Sequence, residues 1–200
     1  MSNPITFYFD FSSPYGYLAS LKIDALAARH GRDVNWRPVL LGAVMKITGT
    51  APLPNIPLKG DYARRDFLRS ARLHGIDFRL PSVFPIASQA PARAFYWLDQ
   101  TDPARARQLA AALYRAYFVD DVNISNPEDT VAVGAAFGLD ADAVRAALND
   151  TAVKDMVKGE VDAAIKLGVF GSPYVIVDGE PFWGMDRFDQ IDQWLQTGGW

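Results

Sequence analysis

Residues 172–184 read SPYVIVDGEPFWG, two short apolar runs on either side of Asp178-Gly179. Asp and Gly both tolerate the positive φ that a type I′ turn demands, so the pair predicts two antiparallel strands joined by a tight hairpin. The next segment, MDRFDQIDQWL at 185–195, sets Phe188, Ile191, Trp194 and Leu195 on one helical face. The chain therefore closes in the order strand, strand, helix. Its opening mirrors this with a different order. ITFYFDF at 5–11 is apolar and aromatic enough for a buried strand. PYGYLASLKIDALAARHG at 14–31 carries Leu18, Leu21, Ile23, Leu26 and Ala27 on a helical period and stops at Gly31. DVNWRPVLL at 33–41 reads as a second strand, and a β-α-β start predicts a parallel pair with a right-handed crossover.

Between residue 42 and about residue 168 strand signals nearly vanish. Ala-rich helical segments such as ARARQLAAALYRAYFVD at 104–120 and TAVKDMVKGEVDAAIKLG at 151–168 fill the interval. TGTAPLPNIPLKG at 48–60 is rich in Pro and Gly, which predicts an ordered loop leading into a helix. The whole order is that of an α/β thioredoxin fold interrupted by helices: a thioredoxin-like unit from 1–41 and 169–200, and an all-helical insertion from 42–168. Sheet strands are not expected between 60 and 160.

Composition removes several functional classes. Two hundred residues, half of them hydrophobic, suit one globular domain or a core domain with a large insertion, and a net charge of -3 offers no basic footprint for nucleic acid. The N-terminal segment lacks a basic region followed by an apolar run, and no stretch is long enough to span a bilayer, so the expectation is a soluble cytoplasmic protein with no membrane partner. There is no cysteine, hence no disulfide, no thiolate from the chain itself and no cysteine-ligated metal. His30 and His74 are the two histidines, each before a Gly at an expected helix end; surface roles are predicted for both, and a Ser-His-Asp hydrolase is disfavoured. No metal site is expected.

FDFSSPYGYLA at 9–19 runs from the first strand into the first helix. Ser13-Pro14 has an ordinary reading, because Ser is a preferred N-cap and Pro a preferred first helical residue. A second reading is that the junction directs backbone N–H groups and the positive end of a helix at one spot, favouring a thiolate. In thioredoxin-like redox proteins this window carries C-x-x-C, whereas here Ser13-Pro14-Tyr15-Gly16 holds no thiol. Pro173, just before the hairpin, occupies the position where this fold places a cis-proline. A cis bond there exposes the backbone of Ser172 for strand-like pairing with an extended peptide.

FDFSSPYGYLA, WRPVLLGAVMKITG at 36–49 and GVFGSPYVIVDGEPFWGMDRF at 168–188, in this order, resemble the 2-hydroxychromene-2-carboxylate isomerases. These are relatives of kappa-class glutathione transferases within the DsbA-like thioredoxin superfamily. The resemblance implies a glutathione-binding enzyme, commonly a homodimer, with glutathione supplying the thiol and a small aromatic substrate as partner. Ser13 matches the serine that hydrogen-bonds the glutathione sulfur, and Ser172, before Pro173, the residue that pairs with its cysteinyl unit. Trp183, Gly184, Met185 and Asp186 match the segment holding the γ-glutamyl end, with Asp186 toward the ammonium group. Lys46, Asn55 and Ile56 match positions near the substrate or the glycyl end. The implied reaction converts 2-hydroxychromene-2-carboxylate to trans-o-hydroxybenzylidenepyruvate, or treats a related intermediate of aromatic degradation such as naphthalene breakdown. A kappa-like transferase or peroxidase and a non-catalytic thioredoxin-fold binding module are the alternatives. The chain departs from the family pattern at Ser12, commonly a large apolar residue, at FPIASQ, where an Asn is often found after FP, and at Met185, which replaces a small polar residue.

Overall fold

The computed structural model describes residues 4–200. Residues 1–3 of the unit expected over 1–41 lie outside the described residues. Strand β1, Ile5–Phe9, lies in the middle of a four-stranded sheet ordered β2-β1-β3-β4, with β2 at Val34–Pro38, β3 at Tyr174–Val177 and β4 at Glu180–Trp183. β1 runs parallel to β2, pairing Phe7 with Trp36, and antiparallel to β3, pairing Phe7 with Val175. β3 and β4 form the expected hairpin, and Asp178 and Gly179 hold φ of 51° and 95°. Arg32 grips the turn through both carboxylate oxygens of Asp178, at 2.9 and 2.7 Å. All strands of the described residues lie before residue 39 or after residue 173, as the patterns predicted.

β1 is buried on both faces because helices cover each of them. Ile5, Phe7 and Phe9 enter the main core, where Phe9 meets Trp36, Phe95 and Tyr114 at ring centroid distances of 5.4, 5.9 and 5.7 Å. Tyr8 points the other way, into a smaller cluster with Val39, Ala164, Val169 and Tyr174. This opposition follows from the two-residue period of a strand.

The segment 14–31 departs from the single helix expected of it. It forms α1, Pro14–Ser20, and α2, Ile23–Arg29, separated at Leu21-Lys22. Leu18 and Ile23 are fully buried while Leu21 is half exposed, so the apolar period does not run through the break. The Ser20 hydroxyl donates back to the Tyr17 carbonyl at 2.7 Å, an alternative backbone partner of the kind that weakens a helix from within. The second strand also stops earlier than expected. Pro38 ends β2, and α3, Leu41–Thr48, begins within the segment read as strand. The proline-rich stretch contains a 3-10 turn, Leu53–Asn55, and leads into α4, Lys59–Leu73.

The helical middle continues through α5, Gln89–Asp99; α6, Pro103–Phe118; α7, Pro127–Ala136; α8, Ala141–Asn149; and α9, Thr151–Lys166. The N-caps Asp102, Asn126, Asp140 and Asp150 each accept a backbone N–H of the following turn. Helix α10, Phe188–Thr197, packs back on α2, and there His30 Nε2 lies 2.7 Å from Asp192. Among the described residues no helix is long and apolar enough to cross a membrane.

Candidate active site

The chain leaves β1 through Asp10 and turns at Phe11-Ser12, where the Ser13 N–H donates to the Asp10 carbonyl at 2.9 Å. Ser13 is then the N-cap of α1: its Oγ accepts the Gly16 N–H at 3.0 Å, and Pro14 follows as the first helical residue. The same hydroxyl donates to the Ser172 carbonyl at 3.0 Å, 159 positions away in the chain. The capping reading of Ser13 is therefore correct, and its proton faces the other half of the fold. Ser12 does something else, for its Oγ accepts the Ile86 N–H at 3.0 Å in the loop before α5.

The Ser172-Pro173 bond is cis, as the element order predicted, and Phe84-Pro85 is a second cis bond that the sequence reading did not anticipate. Ser172 Oγ accepts the Asp10 N–H at 2.9 Å, while Pro173 accepts the Gly184 N–H at 3.0 Å. These bonds join the serine turn, the proline loop and the end of β4 into one unit. Gly16 permits their approach, because a Cβ there would lie 2.7 Å from Ser172 Oγ and 2.8 Å from Tyr114 Oη. Gly184 holds φ of +106°, and a side chain there would also meet the Asp186 carboxylate at 2.3 Å.

An open cleft of about 1980 Å³ runs over this unit. Pockets for one drug-sized ligand occupy about 300–1,000 Å³, so there is room for two small molecules side by side. Ser13, Ser172, Pro173 and the run Trp183 to Asp186 form part of its wall. Trp183 is exposed and packs edge-on against Phe170 at 4.9 Å, Met185 is buried, and the Asp186 carboxylate is exposed, 3.4 Å from the Arg187 guanidinium. Lys46, exposed on α3, and the half-buried Ile56 also line the cleft. Asn55 does not line the cleft, although Pro54 and Ile56 do; the 3-10 turn leaves it exposed.

Two groups on the wall escaped the sequence reading. Tyr15 donates to Asp66 Oδ2 at 2.5 Å, and burial together with that carboxylate raises the phenol above its ordinary pKa. Asp66 also pairs with Arg69, which donates to Tyr62 at 3.1 Å. The spacing of Tyr62, Asp66 and Arg69 on one face of α4 was the available signal. Asp10 is the other group. It is 2% exposed, and burial pushes its carboxyl up to about 6 against the opposing pull of bonds from Leu41, Ser12 and Ser88. An acidic residue closing an otherwise apolar strand run was visible in ITFYFDF. His74 lies at the cleft rim, where partial desolvation lowers its pKa.

A family model described as DSBA-like thioredoxin domain matches residues 4–196. The chain is 28% identical over 197 residues to a 2-hydroxychromene-2-carboxylate isomerase of Sphingobium xenophagum, covering 98% of this chain and 99% of the relative. It is 26% identical to the kappa 2 glutathione S-transferase of Caenorhabditis elegans, covering 96% of this chain and 91% of that one. A solved 2-hydroxychromene-2-carboxylate isomerase superimposes with a TM-score of 0.85 at 27% identity, covering 96% of this chain and 94% of its own. These likenesses bear out the mixed thioredoxin-like fold with inserted helices.

Proposed function

Because the chain belongs to the DSBA-like thioredoxin domain family and yet contains no cysteine, we propose that it is a glutathione-dependent isomerase acting on 2-hydroxychromene-2-carboxylate or a related aromatic intermediate. The observation that carries this reading is the Ser13 hydroxyl, aimed across the cleft floor at the backbone of a residue that precedes a cis-proline. A family site that has lost its own thiol but keeps a donor and a peptide-pairing edge suits a thiol brought in by a peptide. The donor set fits glutathione. Ser172 would offer its backbone to the cysteinyl unit, the exposed Asp186 carboxylate would suit an ammonium group, and Ser13 would supply a hydrogen to sulfur. When bound, glutathione supplies a thiolate able to add to, and depart from, a conjugated carbon.

The residues of the chain have three tasks in this reading. With glutathione bound, the Ser13 hydroxyl would turn from the Ser172 carbonyl to donate to the thiolate, and that carbonyl would be free to accept a peptide N–H. No buried group is left unpaired by the exchange. Holding the thiolate form matters because a free thiol of pKa about 8.5 is only a few per cent ionised at neutral pH. Lys46, which lines the cleft, provides a positive charge suited to the carboxylate of an aromatic pyruvate derivative. Transferase chemistry uses the same donor, and the kappa-class likeness supports it as the second reading.

Activity on 2-hydroxychromene-2-carboxylate and on a halogenated aromatic acceptor, each with and without glutathione, separates the two. Isomerisation that requires glutathione and regenerates it supports the proposal. Conjugation alone supports the transferase. Absence of any heat on titration with glutathione overturns both and leaves a binding module.

A further inference from the structure

Among the described residues Asp10 forms no ion pair, yet each of its polar atoms is engaged. The carboxylate accepts the Ser12 N–H through Oδ1 and the Leu41 N–H through Oδ2, both at 2.6 Å, and the Ser88 hydroxyl makes a further bond to it. Its own N–H goes to Ser172 Oγ, and its carbonyl accepts the Tyr114 hydroxyl at 2.9 Å and the Ser13 N–H. One buried side chain therefore ties the serine turn to the first residue of α3, the helix that carries Lys46, and to the N-cap of α5.

We propose that Asp10 is the positioning residue of this site: as a carboxylate it clamps the serine turn to α3, and on taking up a proton it loosens both cleft walls and weakens ligand binding. A carboxylate presents acceptors only, which is what two inward N–H groups and a hydroxyl require. Protonation puts a hydrogen on one of those oxygens and converts a charge-assisted bond into a weaker neutral one. The groups facing it are Ser12 and Ser13 from its own turn, the Leu41 N–H from α3, Ser88 from α5, Tyr114 and Tyr117 from α6, and Ser172 from the proline loop. Burial dominates the balance, and no charged side chain of the described residues contributes to it. The clamp consequently opens in the weakly acidic range, not near pH 4.

The ligand half of this inference rests on the glutathione reading; the clamp half stands without it. The test follows the Ser12 and Leu41 amide resonances of the ligand-free wild type between about pH 5 and 8, the span expected for so raised a carboxyl. Both amides titrate together with a midpoint near 6. Asp10→Asn silences both, and Ser88→Ala moves the midpoint up, because a donor to the carboxylate is gone. Calorimetry with S-methylglutathione, whose sulfur carries no proton, gives an affinity about tenfold lower at pH 5 than at pH 7 in wild type, the equivalent of one charge-assisted bond. In Asp10→Asn the affinity is flat with pH. His74→Gln removes the rim histidine from the comparison and leaves the slope in place.

Amides that stay still, or titrate apart, overturn the clamp, and this readout needs no variant to fold. Amides that titrate while the affinity holds constant overturn the control of binding. Amides that titrate in a protein binding neither glutathione nor its thioether at any pH keep the clamp and sink the ligand half together with the glutathione reading.

Discussion

Replacing Ser13 by alanine removes a cap and a cross-link at once. Its Oγ satisfies the Gly16 N–H, a loss of about 1 kcal/mol at an N-cap. It also donates to the buried Ser172 carbonyl, a net bond of about 1 kcal/mol. The two together predict about 2 kcal/mol of destabilisation, or a Tm lower by about 4–8 °C for a domain of this size. That is a larger structural effect than capping alone predicts. The chemical loss is separate: a hydrogen bond to a charged sulfur contributes about 1.5–3 kcal/mol, so turnover falls by about tenfold to a hundredfold and the pKa of bound glutathione rises toward its free value. The assay is thiolate absorbance of bound glutathione against pH in wild type, Ser13→Ala and Ser12→Ala. Ser12→Ala orphans the Ile86 N–H and lowers stability by about 1–3 kcal/mol, but it leaves the thiol pKa alone. A wild-type titration in Ser13→Ala, or a large shift in Ser12→Ala instead, would refute the reasoning.

Gly16→Ala sets a Cβ against Ser172 Oγ and Tyr114 Oη; denaturant unfolding should show a loss of about 1–3 kcal/mol, with weaker glutathione binding by calorimetry because the proline loop is displaced. Asp186→Asn, on an exposed carboxylate, should leave Tm unchanged and raise the glutathione Kd about tenfold; an unchanged Kd removes Asp186 from the γ-glutamyl end. Burial disfavours the charge on Asp10, so its folded pKa lies above its unfolded value of 3.8: relative to the unfolded chain the fold gains from the neutral carboxyl below that value and loses this gain as pH rises through about 6, although the ion holds its local donors more tightly. The stability of wild type relative to Asp10→Asn should therefore fall by on the order of 3 kcal/mol between pH 4 and pH 7, measured by urea unfolding at each pH, and a flat difference would mean that the carboxyl is not raised.

What the sequence determined by itself was whatever a few adjacent residues encode. Asp178-Gly179 specified the hairpin because positive φ is a property of those two residues, and alternation against helical period located strands at the two ends and helices between them. Ser13 was legible as a cap from its neighbour Pro14, and the missing thiol from a count of cysteines. The cis bond at Ser172-Pro173 was legible through the order of elements, and Phe84-Pro85, which has the same local chemistry but no such context, was not. The tertiary structure alone decided the partnerships. Ser12 is distinguished from Ser13 by a backbone N–H 74 positions away, and Ser13 meets Ser172 across 159. Asn55 left the cleft while Ile56 stayed, because a single turn of 3-10 helix sets which neighbour faces inward. The break at Leu21 and the role of Asp10 have the same origin. Each depends on burial and on donors brought from distant segments, and neither burial nor a long-range donor is a property that a residue carries in its own name.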